Sequence, residues 1–154
     1  MQRAGLTSFV HTGVVVEDLT TAMEFFRSLG LQCSEPFTAG GEWVDRILGL
    51  TDVRVEGVIV STPDGKDAVE LVKFHEPPAE AEADAHPAPP NRRGIRHIAF
   101  AVDDLSAVVD QLRADGWHTV GEIVDYQGIF LLCYVRGPEG LIIELAERLR
   151  DGVN

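Results

Sequence analysis

The feature that most constrains this chain is one pattern of residues that occurs twice at a fixed spacing of 86 positions. A strand-like run that begins at His11 and leads to Asp18 is matched by a run from His97 to Asp104. The same spacing relates three further pairs, Leu19 with Leu105, Arg27 with Arg113 and Gly30 with Gly116. A chain of 154 residues is the size of one ordinary domain. We therefore expect a single domain over 1–154 that contains one module twice.

Each copy predicts the same order of elements: a strand, a helix and then three strands. The helices are predicted over 18–29, which has an apolar stripe, and over 104–114, and each ends at a glycine. Each begins at an aspartate that can cap free helical N–H groups, which is Asp103 or Asp104 in the second copy. The predicted strands are 7–16, 31–37, 53–61 and 68–74 in the first copy, and the run with His97, 117–124, 128–136 and 141–149 in the second.

The fold class that follows is α+β, with two βαβββ modules, 7–74 and 94–149, forming a curved mixed sheet around a central cleft. Within the first module, 38–41 is predicted to be a flexible loop and 42–50 a short helix. The segment 75–93 holds five of the chain's eight prolines, interleaved with acidic residues. Because proline cannot donate to a sheet ladder, this segment is predicted to be an exposed connector between the modules.

Composition narrows the classes of partner. Thirteen basic against 25 acidic residues give a net charge of −12, which repels nucleic acid and anionic membrane surfaces and disfavours a coenzyme A ester. No apolar run approaches the roughly 20 residues of a membrane span, and the N-terminus lacks the apolar core of a secretory signal. The two cysteines, Cys33 and Cys133, lack metal-type spacing and are expected to be buried free thiols, which suits a reducing cytoplasm.

Histidine and glutamate residues at equivalent positions of the two copies are the candidates for chemistry. His11 and His97 lie near the start of the first strand of each copy, and Glu70 and Glu144 lie among apolar residues in the last strand. A carboxylate in a buried strand is costly unless it is paired or binds a metal ion. A single strand histidine or glutamate is more often an ordinary edge or solvent-facing residue. The repetition of both favours a mixed nitrogen and oxygen site for a divalent transition metal, provided that the four strands converge.

The remaining histidines do not share this pattern. His75 and His86 fall in the predicted connector, and His118 begins a strand whose counterpart carries Gln32. Surface positions or local hydrogen bonds are expected for all three.

The paired modules, the two His-x-x-x-x-Val-x-Asp-Leu segments and the late Pro-acid-Gly … Glu-Leu of each half resemble the vicinal oxygen chelate superfamily. This superfamily includes glyoxalase I, methylmalonyl-CoA epimerase, extradiol dioxygenases, and fosfomycin- and bleomycin-resistance proteins. The resemblance covers the chain outside 75–93 and implies His11, Glu70, His97 and Glu144 as metal ligands. The two-carboxylate set is most similar to glyoxalase I, whereas 94–116 is most similar to the epimerases, which commonly carry glutamine at the position of Glu70.

The resemblance implies a lyase or isomerase that acts on a small α-oxygenated carbonyl compound. The implied cofactor is one divalent ion of Zn, Ni, Co, Mn or Fe. This ion would bind two substrate oxygens and stabilise the enediolate or enolate. Glu144 or Glu70 transfers the proton as general base. The expected pocket and rim residues are Gly13, Val15, Trp43, Val72, Ala99, Ala101, Tyr126, Gln127, Phe130, Leu132 and Tyr134.

Two other functions compete with this interpretation. One is a non-haem Fe(II) dioxygenase of catechol-like substrates, in which His11, His97 and Glu144 form the facial triad and Tyr126 or Tyr134 assists. The other is a metal-free protein that sequesters a cationic antibiotic such as bleomycin. A homodimer is expected from the resemblance, because family members commonly dimerise.

Overall fold

The structure is a computed structural model that describes residues 5, 6, 8–81 and 87–149. The chain divides into two compact units, residues 1–79 and 80–154, which correspond to the two predicted modules. Thr7, the predicted start of the first strand, and His86 lie outside the described residues.

Module 1 contains a five-stranded mixed sheet and two helices. Its elements are β1 Thr12–Val15, α1 Leu19–Ser28, β2 Gln32–Cys33, β3 Phe37–Gly40, α2 Glu42–Leu48, β4 Arg54–Ser61 and β5 Asp67–Glu76. The strand order is β1-β5-β4-β2, and β3 also pairs with β4. Strand β1 runs parallel to β5, and the other pairs are antiparallel.

Module 2 repeats this topology. Its elements are β6 Ile98–Val102, α3 Leu105–Ala114, β7 His118–Thr119, β8 Val124–Tyr126, β9 Phe130–Arg136, a 3₁₀ turn Pro138–Gly140 and β10 Ile142–Arg148. The order is β6-β10-β9-β7, with β8 also paired to β9 and β6 parallel to β10. The α+β class and the two repeated modules are confirmed.

One face of each sheet is covered by its own helix. In module 1, Phe25 and Phe26 of α1 are completely buried, as is Leu71 of β5 on the helix side of the sheet. In module 2, Leu112 of α3 and Leu145 of β10 have the corresponding burial. Because successive strand residues point to opposite faces, the residues between these buried ones lie on the other face, away from α1 and α3. Glu70 and Glu144 are among them.

Three predicted boundaries in the sheets were wrong. The predicted flexible loop 38–41 is largely β3, in which Ala39 pairs with Val55 of β4. Gly40 is required there, because an added Cβ would lie 2.8 Å from the Val53 carbonyl oxygen. The predicted strand 117–124 is two short strands, β7 and β8, which the chain around Gly121 separates. The predicted first strand, which begins at residue 7, is shorter, since β1 starts at residue 12.

Both ends of the predicted connector 75–93 are part of the modules. Strand β5 continues to Glu76, and Ala88 is buried, contrary to the exposure expected for this segment. The Ala88 carbonyl accepts hydrogen bonds from Arg96 Nη2 at 3.0 Å and Arg136 Nη1 at 2.9 Å. These two guanidinium groups therefore fasten the end of the connector to module 2.

Both long helices begin at the predicted aspartate caps. The Thr21 backbone N–H donates to Asp18, which holds the pKa of that carboxyl below its usual range. In the second helix the cap is Asp104, which accepts from the Ala107 N–H at 2.9 Å. No helix in the described ranges is long and apolar enough to cross a membrane.

We expect Asp104→Ala to lower the free energy of unfolding by about 1 kcal/mol, because the helix loses its capping acceptor. Asp103→Ala is the matched control, since this neighbouring aspartate does not cap the helix, and its expected effect is below about 0.5 kcal/mol. Urea unfolding of the two variants measures the difference. Equal effects would contradict the capping role.

Candidate metal centre

Module 1 brings His11 and Glu70 together. His11 immediately precedes β1, and Gly13 of β1 lies opposite Glu70 of β5 in the parallel pair. Since strand residues two apart share a face, His11 and Glu70 meet on the face of the sheet that α1 does not cover. His11 Nε2 lies 2.8 Å from Glu70 Oε2, and the side chains are 33% and 28% exposed.

Module 2 repeats this arrangement with His97 and Glu144. His97 immediately precedes β6, and Ala99 lies opposite Glu144 of β10. His97 Nε2 lies 3.0 Å from Glu144 Oε2, and the side chains are 39% and 22% exposed. Each module therefore presents one imidazole nitrogen and one carboxylate oxygen at hydrogen-bond distance on a half-buried surface.

The donor chemistry of each pair fits a divalent transition metal. Neutral imidazole nitrogen and carboxylate oxygen are the ligands that zinc and its first-row neighbours accept. Within each module, no third His, Cys, Asp or Glu of the described residues joins the pair to form a larger metal-ligand group. A module alone thus supplies two donors.

The pairs differ in what lies beside them. The Tyr134 ring of β9 lies 5.0 Å from the His97 ring, with an angle of 34° between their planes. Tyr134 is directly opposite Glu144 in the antiparallel β9–β10 pair. The residue opposite Glu70 is Ile59 of β4. The imidazole of module 2 is therefore held against an aromatic ring, whereas the position facing Glu70 in module 1 is aliphatic.

A groove of about 380 Å³ opens beside Glu144 on module 2. It is lined by Val120, Gly121, Glu122, Val124, Leu132, Cys133, Tyr134 and Glu144. Of the predicted pocket residues, Leu132 and Tyr134 therefore border the groove. Ala99 is exposed beside Glu144, Phe130 is half-buried further along β9, and Tyr126 is exposed at the end of β8.

The predicted pocket residues of module 1 are more dispersed. Val72 packs against a buried cluster of Val44, Val53 and Val55, so it contributes to the packing beneath α2. Trp43 projects from α2 and is largely exposed. Gly13 leaves open space beside Glu70, because an added Cβ would contact nothing within 4 Å.

The other predicted rim residues lie at exposed positions of the sheets. Val15 is exposed on β1, and Ala101 is exposed on β6 opposite Ala146. Gln127 lies in the turn between β8 and β9 with a positive φ of 57°.

The histidines outside the pairs behave largely as expected. His75 Nε2 lies 3.2 Å from Glu56 Oε2, which is the local hydrogen bond predicted for it. Glu56 could not be identified from the sequence as its partner, because this contact depends on the register of β4 against β5. His118 is exposed at the start of β7. Both cysteines are free thiols, and Cys133 is buried as predicted, whereas Cys33 is only half-buried. Burial raises the pKa of both thiols.

Comparison with known proteins identifies the family. The sequence model of the glyoxalase/bleomycin resistance protein/dioxygenase superfamily matches residues 8–145. The chain belongs to this superfamily. Glyoxalase I enzymes are among its members, and members commonly bind a divalent metal ion and small-molecule substrates. The vicinal oxygen chelate resemblance seen in the sequence is therefore confirmed.

Individual relatives share this fold at different distances. The crystal structure of a glyoxalase family protein from Bacillus cereus is 38% identical, with a TM-score of 0.88 over 97% of this chain and 99% of that one. The trypanothione-dependent glyoxalase I of Leishmania major is 20% identical, with a TM-score of 0.61 over 92% of this chain and 87% of that one, and shows the fold alone. The uncharacterized protein YaeR of Escherichia coli is 32% identical over 84 residues, which span 54% of this chain and 60% of YaeR.

Proposed function

We propose that this superfamily member is a divalent-metal-dependent lyase or isomerase that acts on a small α-oxygenated carbonyl compound. The observation that carries the proposal is the His–Glu pair that occurs in the same strand positions of both modules. Chance is a poor explanation for the same pair of imidazole and carboxylate at equivalent positions of the two modules. A shared function in metal binding explains both pairs.

We further propose that both pairs bind a single ion. Catalytic zinc sites use about three protein ligands and leave a position for water or substrate. Each module provides two donors, so neither pair alone reaches that number, whereas His11, Glu70, His97 and Glu144 together exceed it. A bound ion would be held by the ring nitrogens of the two histidines and the carboxylate oxygens of the two glutamates.

The bound metal supplies Lewis-acid stabilisation of the negative charge that develops on two neighbouring substrate oxygens. The chain's own residues do the rest. His11 and His97 would hold the ion, and the ring of Tyr134 packs beside His97. Glu144 is our choice as the residue that moves the proton, because it borders the groove whereas Glu70 lies beside open space at Gly13. A general base must reach the proton that it removes.

The test is proton exchange at the carbon next to a carbonyl group. Hydroxyacetone in deuterated water, followed by proton NMR, reports this step without knowledge of the natural substrate. We expect exchange that requires the added metal and falls by about 10²- to 10⁴-fold in Glu144→Gln, since general-base catalysis contributes about that much. Glu147→Gln on the same strand is the matched control, because Glu147 accepts from the Leu105 N–H at the start of α3.

Two other results would replace the proposal. Oxygen uptake with catechol after anaerobic loading with Fe(II) would support the dioxygenase, whose triad would be His11, His97 and Glu144. Tight binding of bleomycin by the metal-stripped protein would support drug sequestration. We also propose a homodimer, since superfamily members often form dimers; light scattering tests this against the chain mass of 16.8 kDa.

A further inference from the structure

On the face of module 2 that carries Glu144, apolar side chains lie beside this carboxylate. Strand alternation places Leu132, Tyr134 and Glu144 on this face, with Val124 opposite Leu132 in the β8–β9 pair. Val124 is 53% exposed, which is unusual for valine in a sheet that has a core of its own. These aliphatic and aromatic side chains line the groove beside Glu144.

The charges at this groove all have one sign. Its lining includes Glu122 and Glu144 and contains no lysine or arginine. An anionic group placed there would lose hydration without gaining a lysine or arginine partner and would be repelled by Glu122. The chain's net charge of −12 repels an approaching anion as well.

Two arginines of module 2 that could bind an anion are already engaged elsewhere. Arg136 donates to the carbonyl oxygens of Ala88 and Gly140 at 2.9 and 3.2 Å. Arg96 donates to the same Ala88 carbonyl at 3.0 Å. Their guanidinium groups hold the chain segment at Ala88, and neither arginine lines the groove.

We infer that the substrate places an uncharged, apolar group in the groove formed by Val120, Val124, Leu132 and Tyr134. This inference rests on the proposed function and names the substrate class for the same site. The part of the substrate next to its two metal-binding oxygens is an alkyl or aryl group. A carboxylate or phosphate at that place, as in a peptide thiol conjugate or a coenzyme A ester, is disfavoured. Burial of each methylene favours binding by up to about fourfold.

Two hydroxamate probes test the inference. Benzohydroxamic acid and 4-carboxybenzohydroxamic acid present the same two neighbouring oxygens to a metal ion and differ by one carboxylate. Isothermal titration calorimetry on the zinc-loaded protein measures both. We expect the uncharged probe to bind at least about tenfold more tightly, which corresponds to one unfavourable charge contact of about 1.4 kcal/mol.

Variants in the groove identify the residues that set this preference. Leu132→Lys places a cation in the groove, and we expect the carboxylate probe to gain about tenfold while the uncharged probe loses affinity. Val124→Lys makes the same change at a more exposed position, where the substitution is tolerated if the first variant fails to fold. Ile129→Lys is the matched control, because Ile129 is exposed in the β8–β9 turn and does not line the groove.

Each outcome separates this inference from the proposed function. If both probes bind only to the loaded protein but the carboxylate probe binds equally well or better, the substrate class is wrong and the metal site stands. If Ile129→Lys changes the preference as much as Leu132→Lys, general charge steering explains the result and the groove assignment fails. If the wild type binds no metal, or neither probe binds, the proposed function fails and the inference fails with it.

Discussion

Replacing His97 with alanine is expected to lower the metal affinity of the whole chain, and replacing His11 is expected to do the same. Each imidazole is one of the four proposed donors, and its removal leaves three, of which two are carboxylates. Loss of a hydrogen bond that only supports a ligand costs about 10- to 100-fold in metal affinity, so loss of the ligand itself should cost more. Chelator competition and elemental analysis measure the affinity and the stoichiometry.

The chain contains a matched control for this experiment. His75 forms a pair with Glu56 at 3.2 Å, and its exposure is close to that of the proposed ligands. This pair has no counterpart in module 2, because Leu149 occupies the position equivalent to His75. We expect His75→Ala to retain about one ion per chain. If His97→Ala and His11→Ala each keep half of the wild-type metal, the two pairs bind separate ions and the shared site is wrong.

Replacing Phe25 with alanine should produce a large loss of stability. Phe25 is completely buried in α1 and contacts the ring of Phe26 edge-on, with centroids 5.4 Å apart. Truncation of a buried phenylalanine removes its burial and leaves a cavity, which together cost about 3–5 kcal/mol. That is a large part of the roughly 5–15 kcal/mol that stabilises an ordinary domain. Urea unfolding followed by circular dichroism measures the change.

Ile47→Ala provides the control for this effect. Ile47 is also a large apolar residue on a helix of module 1, but 73% of its side chain is exposed. We expect a change within about 0.5 kcal/mol, since little contact is lost at such positions. A comparable loss in both variants would mean that the exposed face of α2 is covered in solution. An unaltered midpoint for Phe25→Ala would contradict the core described for module 1.

Much of the fold could be predicted because the informative signals are local or repeated. The aspartate caps and the glycines after the helices locate the ends of α1 and α3 to within a few residues. The pairing of His11 with Glu70 is not local, yet it was predictable, because the same residues recur at the same places in module 2. A single histidine and glutamate would not have predicted this contact, whereas their recurrence in the second module did.

The features that escaped prediction depend on contacts between distant residues. Strand β3 consists of Phe-Thr-Ala-Gly, which has a weak intrinsic preference for strand and becomes one by pairing with β4. The burial of Ala88 depends on two arginines, one of which lies 48 residues away. The contact between Tyr134 and His97 likewise follows from strand register, which the alternation of residues within one strand does not specify.

The double hydrogen bond to the Ala88 carbonyl also determines where the second module can be cut. A fragment that starts at residue 94, the boundary indicated by the repeat, would leave Arg96 without its acceptors and Arg136 with the Gly140 carbonyl alone. A fragment that starts at Pro87 keeps both. Anyone who dissects this chain into halves, or joins its second half to another protein, should therefore treat the last prolines before the repeat as part of that half.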